Sequence, residues 1–281
     1  MGKTSGLWSV KADFADDEGC SRFIIPMNPS YVSQGRKTAC FFIPLFVRAE
    51  NPCFLKSFGQ ETATKSSLFF IPGLGADRRL FLHQQKAFQN SFFPSWLPPN
   101  KDESLANYAE RWVRQLKLKR GCSLVGVSFG GMVIQEMARW VEPKCVVLIS
   151  SCRTPASIPL YLRMAGTFPT WSHLSKGLCR VLPKSSGRFL GAETPDQRDL
   201  LIRMFLETPD EFAEWTVKAI RHWKGCEMKS VKIQHIHGEK DHLIPVGRVQ
   251  PDKVIPGGGH LINLTHSEEV NGFIRKCLQN P

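Results

Sequence analysis

From Ser67 onward the apolar residues follow two rhythms, and the chain before that point keeps neither. Leu68-Phe69-Phe70-Ile71 is an unbroken apolar run stopped by Pro72-Gly73. Leu124-Val125-Gly126-Val127 and Cys145-Val146-Val147-Leu148-Ile149 are two more, and residues 231–236 and Lys253-Val254-Ile255 extend the set. A weaker candidate ends in Trp96-Leu97 before Pro98-Pro99. Short continuous runs bounded by glycine and proline are the mark of strands buried on both faces. Between them the spacing changes. After the acidic start Asp102-Glu103-Ser104, residues Leu105, Tyr108, Ala109, Trp112, Val113 and Leu116 fall on one helical stripe. Residues 132–140 and 267–278 read as helices as well. Strands and helices alternating at this length predict an α/β fold: a mostly parallel central sheet of about six strands, flanked by helices.

The alternation lapses over residues 152–225. Leucine-rich segments at 160–164, 174–182, 200–206 and 212–223 are separated by Pro159, Pro169, Pro183, Pro195 and Pro209. They predict several helices with no strand, inserted between two sheet strands. Residues 1–65 mix Gly, Ser, Asn and Pro with a short aromatic cluster and show no sustained period, so they are expected to form a poorly ordered extension. The organisation expected is therefore an extension over 1–65 and one domain over 66–281 carrying the insertion. No internal repeat appears.

Composition narrows the classes. With 42% apolar and 22% charged residues the 281-residue chain is neither wholly disordered nor a transmembrane protein, and Pro44 breaks its longest apolar run. The net charge of +12 is scattered, and no basic block is interleaved with aromatics as a nucleic-acid groove requires. A solvated basic surface is expected, with no nucleic-acid partner and no membrane span. Nine dispersed cysteines without a CxxC pair predict reduced thiols and no zinc site. Asp13, Asp16, Asp17 and Glu18 stand where an export signal would be apolar. A cytoplasmic location is the expectation, and oligomeric state is left open.

Gly126-Val127-Ser128-Phe129-Gly130 fits GxSxG, with a strand ending at it and a helix beginning after it. That context suits a nucleophile: small neighbours let strand and helix backbones pass closely, and the helix N-terminus adds partial positive charge. Serine needs a base within reach. Of eight histidines, His260 follows Gly257-Gly258-Gly259 in a loop between the last strand and the final helix. His83, His173 and His222 fall in helical segments, His235 and His237 on the penultimate strand, and His242 and His266 in loops. The imidazole in turn needs a carboxylate, and Asp241 stands just past the penultimate strand, with Glu239 its near competitor. Ser128, Asp241 and His260 each follow a different strand, so a parallel sheet would place them along one rim.

These stretches resemble the α/β-hydrolase fold family, the large Ser-Asp-His esterase, lipase and peroxidase-like group. The resemblance rests on Phe70-Ile71-Pro72-Gly73-Leu74-Gly75, on residues 124–131, on His237-Gly238-x-x-Asp241-x-x-x-Pro245, and on Gly258-Gly259-His260 followed by Glu268-Glu269-Val270. It implies Ser128 as nucleophile, His260 as general base and acid, Asp241 as the orienting acid, and the amides of Leu74 and Phe129 as the oxyanion hole. It also implies that residues 152–225 form a helical cap, and that neither cofactor nor metal is needed. Pro72 departs from the family's usual His-Gly, and the usual opening pair of antiparallel strands is not evident before Leu68. The expected function is a serine hydrolase, carboxylesterase-like, cleaving a small-molecule ester with a small to medium apolar acyl group. Thioesterase, lyase or cofactor-free peroxidase-like chemistry, or a ligand-binding member without turnover, stays open. A nucleotide-binding protein is disfavoured, because no GxGxxG or Walker lysine follows the first strand.

Overall fold

The structure, a computed structural model, describes residues 67–167, 170–226 and 231–280. The extension expected over residues 1–65, and any strands there, lie outside them. Six strands form one sheet: β1 (Leu68–Ile71), β2 (Ser91–Phe92), β3 (Ser123–Val127), β4 (Cys145–Ile149), β5 (Ile233–Gly238) and β6 (Lys253–Ile255), in the spatial order β2-β1-β3-β4-β5-β6. Every neighbouring pair is parallel. The side chains of each strand alternate between two cores. Phe69, Ile71, Leu124, Val146 and Leu148 point to one, and Leu68, Phe70, Val125, Val127, Val147 and Ile149 to the other. Both faces are therefore apolar, and both are covered by helices.

On the first face lie α2 (Leu105–Leu116) and α3 (Phe129–Val141), which bury Tyr108, Trp112, Met132 and Ile134. Ser104 starts α2 by accepting the Asn107 amide at 3.2 Å. The second face is covered by α1 (Leu82–Ala87), α9 (Ile262–Thr265) and α10 (Ser267–Gln279). A buried amide chain ties these three together. The Gln84 side chain donates to the Asn263 carbonyl at 3.1 Å and to Asn271 at 2.9 Å, and Asn263 donates to the Leu80 carbonyl at 2.8 Å.

The chain between β4 and β5 holds α4 (Leu160–Ala165), α5 (Trp171–Val181), α6 (Pro183–Phe189), α7 (Pro195–Glu207) and α8 (Asp210–His222), with no strand among its described residues. Proline begins four of them: Pro159 and Pro209 immediately precede α4 and α8, while Pro183 and Pro195 are the first residues of α6 and α7. Thr194 and Gln197 add a capping box to α7. Phe212 and Trp215 of α8 dock this segment on the first face, where Trp215 lies 4.4 Å from the Tyr108 ring and Phe212 5.1 Å from Trp96.

One strand expectation needs correction. Trp96 and Leu97 are buried but not in a strand, and β2 is the pair Ser91–Phe92. At Leu97 a side chain replaces the sheet ladder: the Tyr108 hydroxyl accepts from the Leu97 amide and donates to its carbonyl, both at 3.0 Å. No helix among the described residues is long and apolar enough to cross a membrane.

Candidate active site

Ser128 occupies the turn between β3 and α3 at φ 53° and ψ −120°, a region a non-glycine residue enters only under constraint. The constraint is visible. Its amide donates to the Ile149 carbonyl at 2.9 Å, and its carbonyl accepts the Ser151 hydroxyl at 2.6 Å. Glycine is required on either side. A Cβ on Gly126 would meet the Gly130 carbonyl oxygen at 2.5 Å, and one on Gly130 would meet the carbonyl oxygens of Ile71 and Pro72 at 2.3 Å. The loop after β1 thus lies against the start of α3. Leu74 and Phe129 both line the cavity over Ser128. Pro72 leaves this contact intact, because the close approach involves its carbonyl.

Asp241 follows β5 and is fully buried with four donors around it. Oδ1 accepts the amides of Leu243 at 2.9 Å and Ile244 at 2.8 Å. Oδ2 accepts His260 Nδ1 at 2.7 Å and lies 3.1 Å from His237 Nε2. Burial works against the carboxylate, but the His260 charge and the hydrogen bonds from His237, His260 and the Ile244 amide outweigh it. They hold Asp241 well below the usual carboxylate range. Glu239, the competitor, accepts the Gly257 amide at 2.8 Å in an exposed turn and does not meet a histidine.

With Nδ1 donating to Asp241, the Nε2 of His260 is the nitrogen left over, and His260 lines the same cavity as Ser128. Among the described residues no hydrogen bond joins Ser128 to His260, a common state of such pairs without substrate. The His260 loop is seated by backbone contact. A Cβ on Gly238 would meet the Gly259 carbonyl oxygen at 2.2 Å, and one on Gly191, from the segment between α6 and α7, would meet the His260 amide nitrogen at 2.7 Å. The rim therefore brings Ser128, Asp241, His260, Leu74 and Phe129 to one place.

Two histidines extend the arrangement beyond what the sequence assigned. His237 Nε2 faces two acceptors, the Ile244 carbonyl at 2.8 Å and Asp241, so that nitrogen carries the proton. Its Nδ1 then accepts from His235 Nε2 at 3.0 Å. His235 is neutral in this pairing. Burial, aided by the charge of Arg153, pushes it down to about 3, and its Nδ1 lone pair is buried without a partner. The signal was available: His235 and His237 lie two residues apart on one strand face, six and four residues before Asp241.

The cavity over Ser128 has a volume of about 560 Å³. One wall is the sheet rim, and the other is built by the segment between β4 and β5, through Trp171, Leu178, Leu182, Phe189, Phe205 and Ile220. Among the described lining residues, the hydroxyl and imidazole groups are those of Ser128, His260, Ser175 and Ser185, and none is Asp, Glu, Lys or Arg. Such a space takes an uncharged, apolar group. No group of three or more potential metal ligands clusters among the described residues.

Comparison with known proteins places this geometry. The model of the alpha/beta hydrolase family matches residues 68–273. No curated protein matches the sequence. Similar solved structures include a thermophilic esterase from Thermogutta terrifontis, 17% identical with a TM-score of 0.61, over 78% of this chain and 91% of that one. An epoxide hydrolase of Bacillus megaterium is 14% identical with a TM-score of 0.55, over 76% of this chain and 94% of that one. A hydrolase from Oleispira antarctica is 14% identical with a TM-score of 0.57, over 77% and 92%. At these identities the likeness is one of fold.

Proposed function

The chain belongs to the alpha/beta hydrolase family, and from that premise we propose that it is a serine hydrolase cleaving a carboxylic ester whose acyl group is apolar and of medium size. The observation that carries the reading is the His260–Asp241 pair opening onto the same apolar cavity as a serine held on a strained turn. Ser128 Oγ attacks the ester carbonyl while its proton passes to His260 Nε2. Asp241 stabilises the imidazolium, and the developing oxyanion is received by the Leu74 and Phe129 amides. His260 then gives that proton to the departing alcohol as the carbon–oxygen bond breaks. Water, deprotonated by His260, attacks the acyl-enzyme and releases the acid, returning the proton to Ser128.

Ester chemistry is favoured over epoxide opening by the identity of the nucleophile. A serine alkylated by an epoxide would carry an ether, which water does not cleave, and the enzyme would stop after one event. An acyl-serine is an ester and turns over.

The test is hydrolysis of p-nitrophenyl esters from acetate to decanoate. Each methylene added within the cavity should raise kcat/KM by up to about fourfold, with acetate the poorest member and Ser128→Ala inactive throughout. A preference for acetate, or turnover retained by Ser128→Ala, would overturn the reading.

A further inference from the structure

Among the described residues, the segment between β4 and β5 leaves apolar side chains in solvent as no other does. Among the described residues, eight of the eleven exposed large apolar side chains fall between Leu160 and Phe189. On α5 they form a stripe of helical spacing: Leu174 is 73% exposed, Leu178 54%, Val181 77% and Leu182 47%. The opposite face of α5 is satisfied inward, where Lys176 pairs with Asp210 at 2.6 Å and Ser172 donates to Glu214 at 3.0 Å. The outward stripe is thus not a helix turned the wrong way round.

Two further observations say what covers it. The stripe runs into the catalytic cavity: Leu178, Leu182 and Phe189 are each about half exposed and each line the cavity over Ser128. Its mouth is an apolar rim rather than a polar one. The charge is also one-sided. Residues 152–192 contain no aspartate or glutamate, and of their six lysines and arginines only Lys176, which pairs inward with Asp210, and Arg153, which pairs with Asp252, meet a carboxylate among the described side chains. Arg180 is exposed beside the stripe, and Arg188 with His242 lines a shallow second hollow that shares Ser185 and Phe189 with the cavity. An apolar stripe flanked by basic side chains, on short helices, has the chemistry of a surface that sits in a lipid interface. The basic residues meet the anionic headgroups and the leucines reach the acyl boundary.

We propose that the helices α4, α5 and α6 dock on an anionic lipid surface with the cavity mouth facing it, so that an apolar substrate passes from lipid to Ser128 without crossing water. A second copy of the chain is a poorer occupant, because two such faces would bring like charges together. Docking needs no catalytic step, so Ser128→Ala binds lipid as well as the wild type. Loss of hydrolysis and loss of docking are therefore separable results.

The test is flotation of the full chain with vesicles of phosphatidylcholine alone and of phosphatidylcholine mixed with phosphatidylglycerol. Partition onto the mixed vesicles should be tighter by at least about tenfold. The double variant Leu174→Asp/Val181→Asp, whose residues stand outside the cavity lining, should lose about tenfold or more of that binding. It should hydrolyse p-nitrophenyl butyrate in solution as the wild type does, which also reports that it is folded. If it is not folded, the milder pair Leu174→Ser/Val181→Ser takes its place. Equal binding to both vesicles, or undiminished binding by either double variant, would overturn the proposal, since the overall charge of the chain would then suffice. Absence of the full chain from both vesicles would overturn it too, whether a second copy or the chain before residue 67 covers the face. Sedimentation velocity identifies the first case as a dimer that the double variant disperses.

Discussion

The sheet rim and the helices between β4 and β5 face each other across one cavity and are built on opposite principles. On the rim every group is fixed: Asp241 and His260 are 0% and 4% exposed, four donors surround one carboxylate, and glycine contacts lock Ser128 and the His260 loop. Across the cavity, Leu174, Leu178 and Val181 stand in solvent. The rim places charges and protons to within tenths of an ångström, which acyl transfer needs. The helices offer shape and apolar area, which choose the substrate and its source. Substitutions on the rim should therefore change rate, and substitutions on the helices should change which ester is preferred.

The largest effect sharpens the rim itself. Asp241→Ala should lower kcat by about 10⁴-fold, because the His260 imidazolium loses its partner and its tautomer is no longer set. Glu239→Ala, which only frees the Gly257 amide, should leave kcat nearly unchanged. Steady-state kinetics on one ester distinguishes them, and equal losses would erase the distinction between the two carboxylates.

Next in size is a pH effect on stability. His235 is neutral in the fold with its pKa at about 3, against an ordinary value of 6.5. Between those values the unfolded chain binds the extra proton. The stability tied to this group is whole above pH 6.5 and declines as the pH falls toward 3, by about 1.4 kcal/mol per pH unit. Asp241, held below the usual carboxylate range, acts in the same direction at still lower pH, where its protonation removes the charge that four donors stabilise. Unfolding free energies from urea titrations at about pH 7 and about pH 4.5 should differ by roughly 2–3 kcal/mol, and His235→Gln should flatten that dependence. An unfolding free energy indifferent to pH would mean His235 takes its proton inside the fold.

Smaller again is the effect of His237→Ala. Asp241 Oδ2 would keep His260 but lose its second donor. We expect kcat to fall roughly tenfold at constant KM, with partial recovery in His237→Gln, which can still donate. A change in KM alone would place His237 in substrate binding instead. The smallest effect belongs to the helices. Phe205→Ala removes the ring that packs against Gly75 and Trp171, and should move the preferred acyl chain upward while butyrate hydrolysis declines only a few-fold. A uniform loss over the ester series would make Phe205 part of the catalytic frame.

The sheet was legible in the sequence because buried parallel strands are self-contained runs. Leu68–Ile71, Cys145–Ile149 and Lys253–Ile255 could be bounded from glycine, proline and polarity alone. β2 was not, since two residues carry no period and the apolar pair Trp96-Leu97 is buried by the Tyr108 hydroxyl instead. Helix α6 was hidden because Ser185, Ser186, Gly187 and Arg188 form no apolar stripe. Ser128, Asp241 and His260 could be placed because each follows its own strand, and parallel strands end on one side. The His235–His237–Asp241 chain depends on ring orientations and tautomers, which spacing suggests but does not fix. The exposed stripe was obscured for another reason: the sequence gives the apolar residues of α5, but only packing tells which of them stay uncovered.

The central claim is that Ser128 is activated by the His260–Asp241 pair, and intact-protein mass after treatment with a fluorophosphonate tests it most directly. The wild type should gain the mass of one phosphonyl group, while Ser128→Ala and His260→Ala gain none over the same exposure. An unlabelled wild type, or a Ser128→Ala variant that still takes one group, would contradict it.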